Sequence, residues 1–204
     1  MAFTTEFITV MDIDSNVYHT VEIGTQVWMV ENLKTTRFRD GSPIPNVTDN
    51  TTWDNITTIA YCDYSNNPNN SITYGRLYNW YVVQDNRQIA PVGWHVPTDA
   101  DWTILSDYLG GENIAGGKMK EADTTHWLSP NYGATNESGF TALPGGVRGY
   151  NTGFSYLGWG AMWWSSDQNT STNACGRSLS YTTANIYIIS SYMGVGNSIR
   201  CVKD

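Results

Sequence analysis

The side chains able to do bond chemistry are few and scattered. His19, His95 and His126 sit far apart in Tyr18-His-Thr, Trp94-His-Val-Pro97 and Thr125-His-Trp127. No HxxxH or HxH pair joins them, so they read as structural or surface histidines rather than as a zinc set. A hydrolytic serine needs a strained turn such as GxSxG, which is missing. Glu112, Glu121, Asp123 and Glu137 show no spacing that would set two carboxylates across a cleft for glycoside cleavage. Asp99 and Asp101 fall where a first helical turn is expected, and the helix dipole accounts for them. Loops such as Thr48-Asp-Asn-Thr51 and Asn136-Glu137 offer hard oxygens that suit calcium, but turn formation explains them equally, so calcium stays possible and unassigned. Cys62, Cys175 and Cys201 are an odd number without CxxC spacing, and mostly free thiols are expected.

A different chemistry stands out near the C-terminus. Leu143-Pro-Gly-Gly-Val-Arg148, Trp163-Trp-Ser-Ser-Asp167 and Ser198-Ile-Arg-Cys-Val-Lys-Asp204 frame a run from Ala174 to Met193 that has no acid and one base, Arg177. Tyr, Ser, Thr and Asn dominate that run. Tyr offers large contact area for little lost rotamer entropy, and Ser and Asn offer adaptable hydrogen bonds, so the composition suits recognition better than catalysis. Arg148 and Arg200, at the ends of the frame, read as buried residues bonding backbone carbonyls.

The elements that must position this run are partly legible. Val17 to Val30 alternates apolar and polar residues about Gly24, which predicts a β-hairpin. Phe38 to Ser71 is rich in Asn, Asp, Thr, Pro and Gly and reads as a long irregular segment tied down by Trp53 and Tyr61. Leu77, Trp80 and Tyr81 stand at helical spacing within Tyr74–Val83. A second helix begins with the capping-box pair Thr98 and Asp101, carries Trp102, Leu105 and Leu109 on one face and ends at Gly110-Gly111. Beyond it the chain reads as loop and strand, with glycine pairs at Gly116-Gly117 and Gly145-Gly146.

Composition narrows the function classes. The 204 residues are 40% hydrophobic and 15% charged, with nine Trp and thirteen Tyr, enough for one domain with its own core. A net charge of −8 argues against nucleic-acid phosphate as a partner. No apolar run approaches the ~18 residues of a membrane span, so no membrane insertion is expected. Met1–Ile8 lacks the basic and apolar regions of a secretory signal, so synthesis in the cytoplasm is expected.

Several blocks together carry a resemblance: Asp12-Ile-Asp-Ser-Asn-Val-Tyr18, Ile23-Gly-Thr-Gln-Val-Trp-Met29, Glu31-Asn-Leu-Lys-Thr-Thr36, Tyr74-Gly-Arg-Leu-Tyr-Asn-Trp80, Gly93-Trp-His-Val-Pro-Thr98, Phe140-Thr-Ala-Leu-Pro-Gly-Gly146 and Ile199-Arg-Cys-Val-Lys203. In this order they resemble the Fibrobacter succinogenes major paralogous domain family. The resemblance implies an α+β domain of the C-type lectin fold, akin to the formylglycine-generating-enzyme-like branch. Two helices would pack on twisted antiparallel sheets with long irregular loops, and the N- and C-terminal strands would meet. Residues 1–10 would form an extension and residues 11–204 one domain.

Proteins of this branch include the variable proteins of diversity-generating retroelements, whose C-terminal cassette is rewritten at adenines. The resemblance therefore implies a ligand- or receptor-binding protein with a variable region at about 148–197, no enzyme activity and no cofactor. It would sit on a virion or cell surface and meet a protein or glycan receptor on another cell or particle. Randomising the adenines of AAC or AAT codons never yields Lys, Glu, Gln, Trp or Met. Between Ala174 and Asn197 only Met193 falls in that excluded set, where average composition would place roughly four or five. By the family pattern Arg177 and Leu179 look like frame. The display positions would be Cys175, Gly176, Ser178, Ser180, Tyr181, Asn185, Tyr187, Ile188, Ile189, Ser191, Tyr192, Val195 and Asn197, joined by Tyr156, Trp159, Ala161 and Met162. Ile188 and Ile189 read equally as core strand residues. Two alternatives stay open: a fixed glycan-binding adhesin, and an oxidase of the formylglycine-generating type, for which Cys175 with Cys201 are the nearby pair that copper would need.

Overall fold

The computed structural model describes residues 8–204. Strands β1 (Thr9–Met11), β2 (Val17–Ile23) and β3 (Gln26–Met29) open the chain, and Val21 faces Trp28 across the predicted hairpin. Its turn needs Gly24, which has φ 64°.

The segment expected to be irregular is more ordered than its composition suggests. It holds α1 (Asn50–Asp54), β4 (Tyr61–Cys62), a 3₁₀ turn and α2 (Pro68–Tyr74). Two polar residues of the segment start helices: Asp49, in a stretch whose composition turn formation also explained, accepts from the amide of Thr52, and Asn67 accepts from Asn69 ahead of a proline in the first turn. The single helix expected over Tyr74–Val83 is likewise corrected. Helix α2 ends at Tyr74, β5 (Leu77–Tyr78) pairs with β4, and only then does α3 (Trp80–Val83) begin. Gly75, at φ 77°, breaks the helix where a Cβ would lie 2.6 Å from that of Asn32.

After β6 (Trp94–His95) comes α4 (Asp99–Tyr108), with the predicted capping box between Thr98 and Asp101. Then follows α5 (Glu112–Met119), where only loop and strand were expected. The glycine pair inside it is there for close packing. A Cβ on Gly116 would lie 2.3 Å from the carbonyl oxygen of Asn185, and one on Gly117 would lie 2.4 Å from that of Gly133. The remaining strands are β7 (Gly145–Gly149), β8 (Gly153–Leu157), β9 (Gly160–Gln168), β10 (Asn173–Ser180), β11 (Ile186–Tyr192) and β12 (Val202–Lys203).

The result is a mixed α and β architecture of mostly antiparallel sheets. A five-stranded sheet has the order β1-β2-β3-β12-β6, so the last strand lies beside the first hairpin, with Val202 opposite Trp28. A three-stranded sheet has the order β11-β10-β9. Adjacent tryptophans on β9 join the two main cores, because consecutive strand residues point to opposite faces. Trp163 enters the core formed with Trp102, Leu105, Met119, Trp127 and Phe140, whereas Trp164 enters the core formed with Tyr18, Tyr78, Trp80 and Cys201.

Candidate binding surface

The register of the three-stranded sheet decides which candidate residues reach solvent. Leu179 lies opposite Ala161 and Ile186, and Arg177 opposite Trp163 and Ile188, so these residues share one face. On that face α4 and α5 pack, and Ala161, Trp163, Leu179 and Ile186 are buried with them. The alternate residues form the outer face. There Ser178 lies between Met162 and Tyr187 at the open end, whereas Gly176 lies between Ile189 and Trp164, which is buried in the other core.

Tyr156, at 52% exposure, extends this row, since a Cβ on Gly160 would lie within 3.9 Å of both Met162 and Tyr156. Tyr156 has φ 66°, a left-handed conformation that costs a tyrosine about 1 kcal/mol relative to glycine. At the end of the sheet the ring of Trp159, 51% exposed, lies 5.7 Å from that of Tyr181. No carboxylate or cationic side chain belongs to these residues.

The predicted display set therefore divides. Tyr156, Trp159, Tyr187 and Ile188 are exposed. Met162, Cys175, Ser178, Ser180, Tyr181, Asn185, Ile189, Ser191, Tyr192 and Val195 are half-buried, with Tyr181 and Val195 partly packed on the cores. Three placements are corrected. Ala161 is buried against the helices. Gly176 is buried, and a Cβ there would stand 2.4 Å from the carbonyl oxygen of Trp163. Asn197 is 1% exposed and exchanges backbone hydrogen bonds with Tyr78 at 2.9 and 3.1 Å. Leu179 and Arg177 are frame, as expected; Arg177 is 2% exposed and pairs with Asp99.

Sequence reasoning passed over Tyr132 and Tyr150, 61% and 46% exposed. The amide of Tyr132 donates to the carbonyl of Tyr181, and the ring of Tyr150 lies 5.1 Å from that of Tyr192. Tyr150 falls within the 148–197 window, which was the signal available for it; Tyr132 has no such signal.

Buried cations hold the frame, as read for the two arginines. Arg148 donates to the carbonyls of Val47 and Thr48 and to Asn50, and its guanidinium lies 4.4 Å from the Trp53 ring centre. Arg200 donates to the Phe140 carbonyl and to Asn32, and full burial pushes its pKa down to about 9. Lys120, fully buried, was not foreseen. Its ammonium donates to the carbonyls of Tyr132, Ser180 and Thr183 at 2.9–3.0 Å, pinning the turn between β10 and β11, and burial lowers its pKa to about 8.

Groups considered for catalysis and metals have other work. Burial raises the pKa of both Cys175 and Cys201, the opposite of what a reactive thiolate pair needs. Asn136 accepts from the amide of Thr141, and Asp49 caps α1, so their oxygens are engaged in local turns. The histidines pair with carboxylates: His19 with Glu31, His95 with Asp101 and Asp204, and His126 with Glu121. Among the described residues no group of three or more His, Cys, Asp or Glu is placed to hold a metal ion, and no helix is long and apolar enough to cross a membrane.

No curated protein and no solved structure matches this chain. The model of the Fibrobacter succinogenes major domain matches residues 21–203, a span that takes in the tryptophan pair of β9, all three frame cations and the whole outer sheet face. The chain belongs to the Fibrobacter succinogenes major domain family.

Proposed function

We propose that this chain is a ligand-binding protein without enzyme activity, built on a C-type lectin fold, which displays the outer face of β9–β11 to a receptor on another cell or particle. The observation that carries this reading is the separation along single strands. Buried Trp163, Arg177 and Leu179 alternate with half-buried or exposed Met162, Ser178 and Tyr187. Outer residues can change while the frame stays intact. The strained, exposed Tyr156 adds support, because a left-handed tyrosine persists at a cost and glycine would serve the backbone better.

Such a surface suits adenine-directed diversification by a retroelement, and the protein would then ride on a virion or a cell surface. Exposed aromatics ringed by small polar groups are the composition of binding hot spots. The exposed ring of Trp159, propped by the tilted ring of Tyr181, also offers a face on which a sugar ring could stack, which favours a glycan receptor as the second reading. A screen against arrayed glycans and cell-surface proteins tests the proposal, run with the unsubstituted protein and with a Tyr156→Ala, Trp159→Ala, Tyr187→Ala triple variant. A receptor bound only by the unsubstituted protein, with the variant still folded, is the expected result. Binding unaffected by the triple variant would move the site elsewhere.

A further inference from the structure

Among the described residues strand β11 is an edge of its sheet, with no strand beside it but β10. In an antiparallel ladder the backbone groups of successive residues point alternately to the two sides. The amide of Met193 donates to Thr172, which fixes the phase: Ser191, Ile189 and Tyr187 bond β10 through their registers with Ala174, Gly176 and Ser178. The same phase holds on the other side of β10, where the Tyr181 amide donates to Trp159. The N–H and C=O groups of Ile188 and Ser190 therefore point away from the sheet, and among the described residues none of them has a partner.

Helix α5 covers only the start of this edge. Asn113 bonds Asn185, and Ile186 is 2% exposed, but Ile188 is 55% exposed and Ser190 is exposed as well. Open edges are usually blunted by lysine, proline or a bulge. Ile186-Tyr-Ile-Ile-Ser-Ser-Tyr192 contains none of these residues and no charge.

We infer that β11 is a docking edge for an extended, non-acidic polypeptide segment of the receptor, which adds as a further strand beside Ile188 and Ser190. This rests on the proposed binding role and names its ligand class. Main-chain bonds would supply affinity whatever the side chains are, while Tyr187 and Ile189 on one face and Ile188 on the other would supply selectivity. The net charge of −8 disfavours a second copy of this chain as the added strand and favours a neutral or basic one.

The test selects binders from a pool of displayed random peptides, and reads them against three proteins: unsubstituted, Ile188→Pro and Ile188→Ser. Proline removes only the outward N–H, so the β10 ladder stays whole. The expected result is that selected peptides bind Ile188→Pro about tenfold more weakly, bind Ile188→Ser with a smaller loss, and slow amide exchange at Ile188 and Ser190. The exchange reading, made on the unsubstituted protein, decides the matter if Ile188→Pro does not fold. No selected peptide, peptides indifferent to the proline with no protection of those amides, or a dimer that dissociates on Ile188→Pro would each overturn the inference. A receptor lost with Tyr156→Ala but retained by Ile188→Pro would overturn strand docking alone and leave the binding surface standing.

Discussion

The two faces of the β9–β11 sheet are made by alternate residues of the same strands, yet they obey different constraints. On the helix side Trp163, Arg177, Leu179 and Ile186 are enclosed, and each polar group finds a partner: the Trp163 ring nitrogen donates to Asn32 at 2.8 Å and Arg177 pairs with Asp99. On the outer side Met162, Ser178, Tyr187 and Ile189 lean on one another and on solvent. Burial and polar satisfaction leave the first set little freedom, and shallow contact leaves the second set much. A strand can thus carry a fixed code and a free one at once, offset by a single residue.

Substitutions across this boundary should fall on a steep gradient. The largest effect is expected for Trp163→Ala, which empties a core position and leaves Asn32 with Arg200 as its remaining donor, at a cost of about 3–5 kcal/mol in chemical unfolding. Lys120→Met should cost about 2 kcal/mol, because the carbonyls of Tyr132, Ser180 and Thr183 lose their donor. Its pH dependence is specific. Lys120 has a pKa of about 8 in the folded protein and about 10.4 when unfolded, so the unfolded state binds the extra proton between those values and stability from this group rises with pH across them. The deficit of Lys120→Met relative to the unsubstituted protein should therefore grow from pH ~8 to ~10.4.

Gly176→Ala, aimed at the carbonyl of Trp163, should cost about 1–2 kcal/mol and would show that this position is frame. Tyr156→Gly should act in the opposite direction, raising stability by about 1 kcal/mol through release of the left-handed strain while weakening ligand capture. The smallest change is expected for Tyr187→Ala, within about 0.5 kcal/mol in thermal melting. A loss as large as that of Gly176→Ala would mean that the outer face is also core.

Local signals carried much of the fold in the sequence. The first hairpin, the capped start of α4 and the buried arginines followed from alternation, capping chemistry and the guanidinium's need for acceptors. Tertiary effects hid the rest. Gly116-Gly117 looks like a chain break, but these glycines let α5 approach Asn185 and Gly133. Ile186 and Ile188 share a face, so periodicity cannot tell them apart; only the extent of α5 makes one core and the other exposed. Composition singled out strands whose alternate residues are partly exposed, whereas the burial of Ala161, Gly176 and Asn197 required the register and the crossing at Tyr78 to be seen.

The most direct test of this division is to sequence the DNA around the gene for a reverse transcriptase and a near-copy of the codons for about residues 148–197. The account predicts a copy that differs only at adenines, with differences at the codons of Tyr156, Ser178, Tyr187 and Ile188 and none at those of Ala161, Trp163, Gly176, Arg177 and Asn197. Differences concentrated in the frame codons, or no such copy, would contradict it.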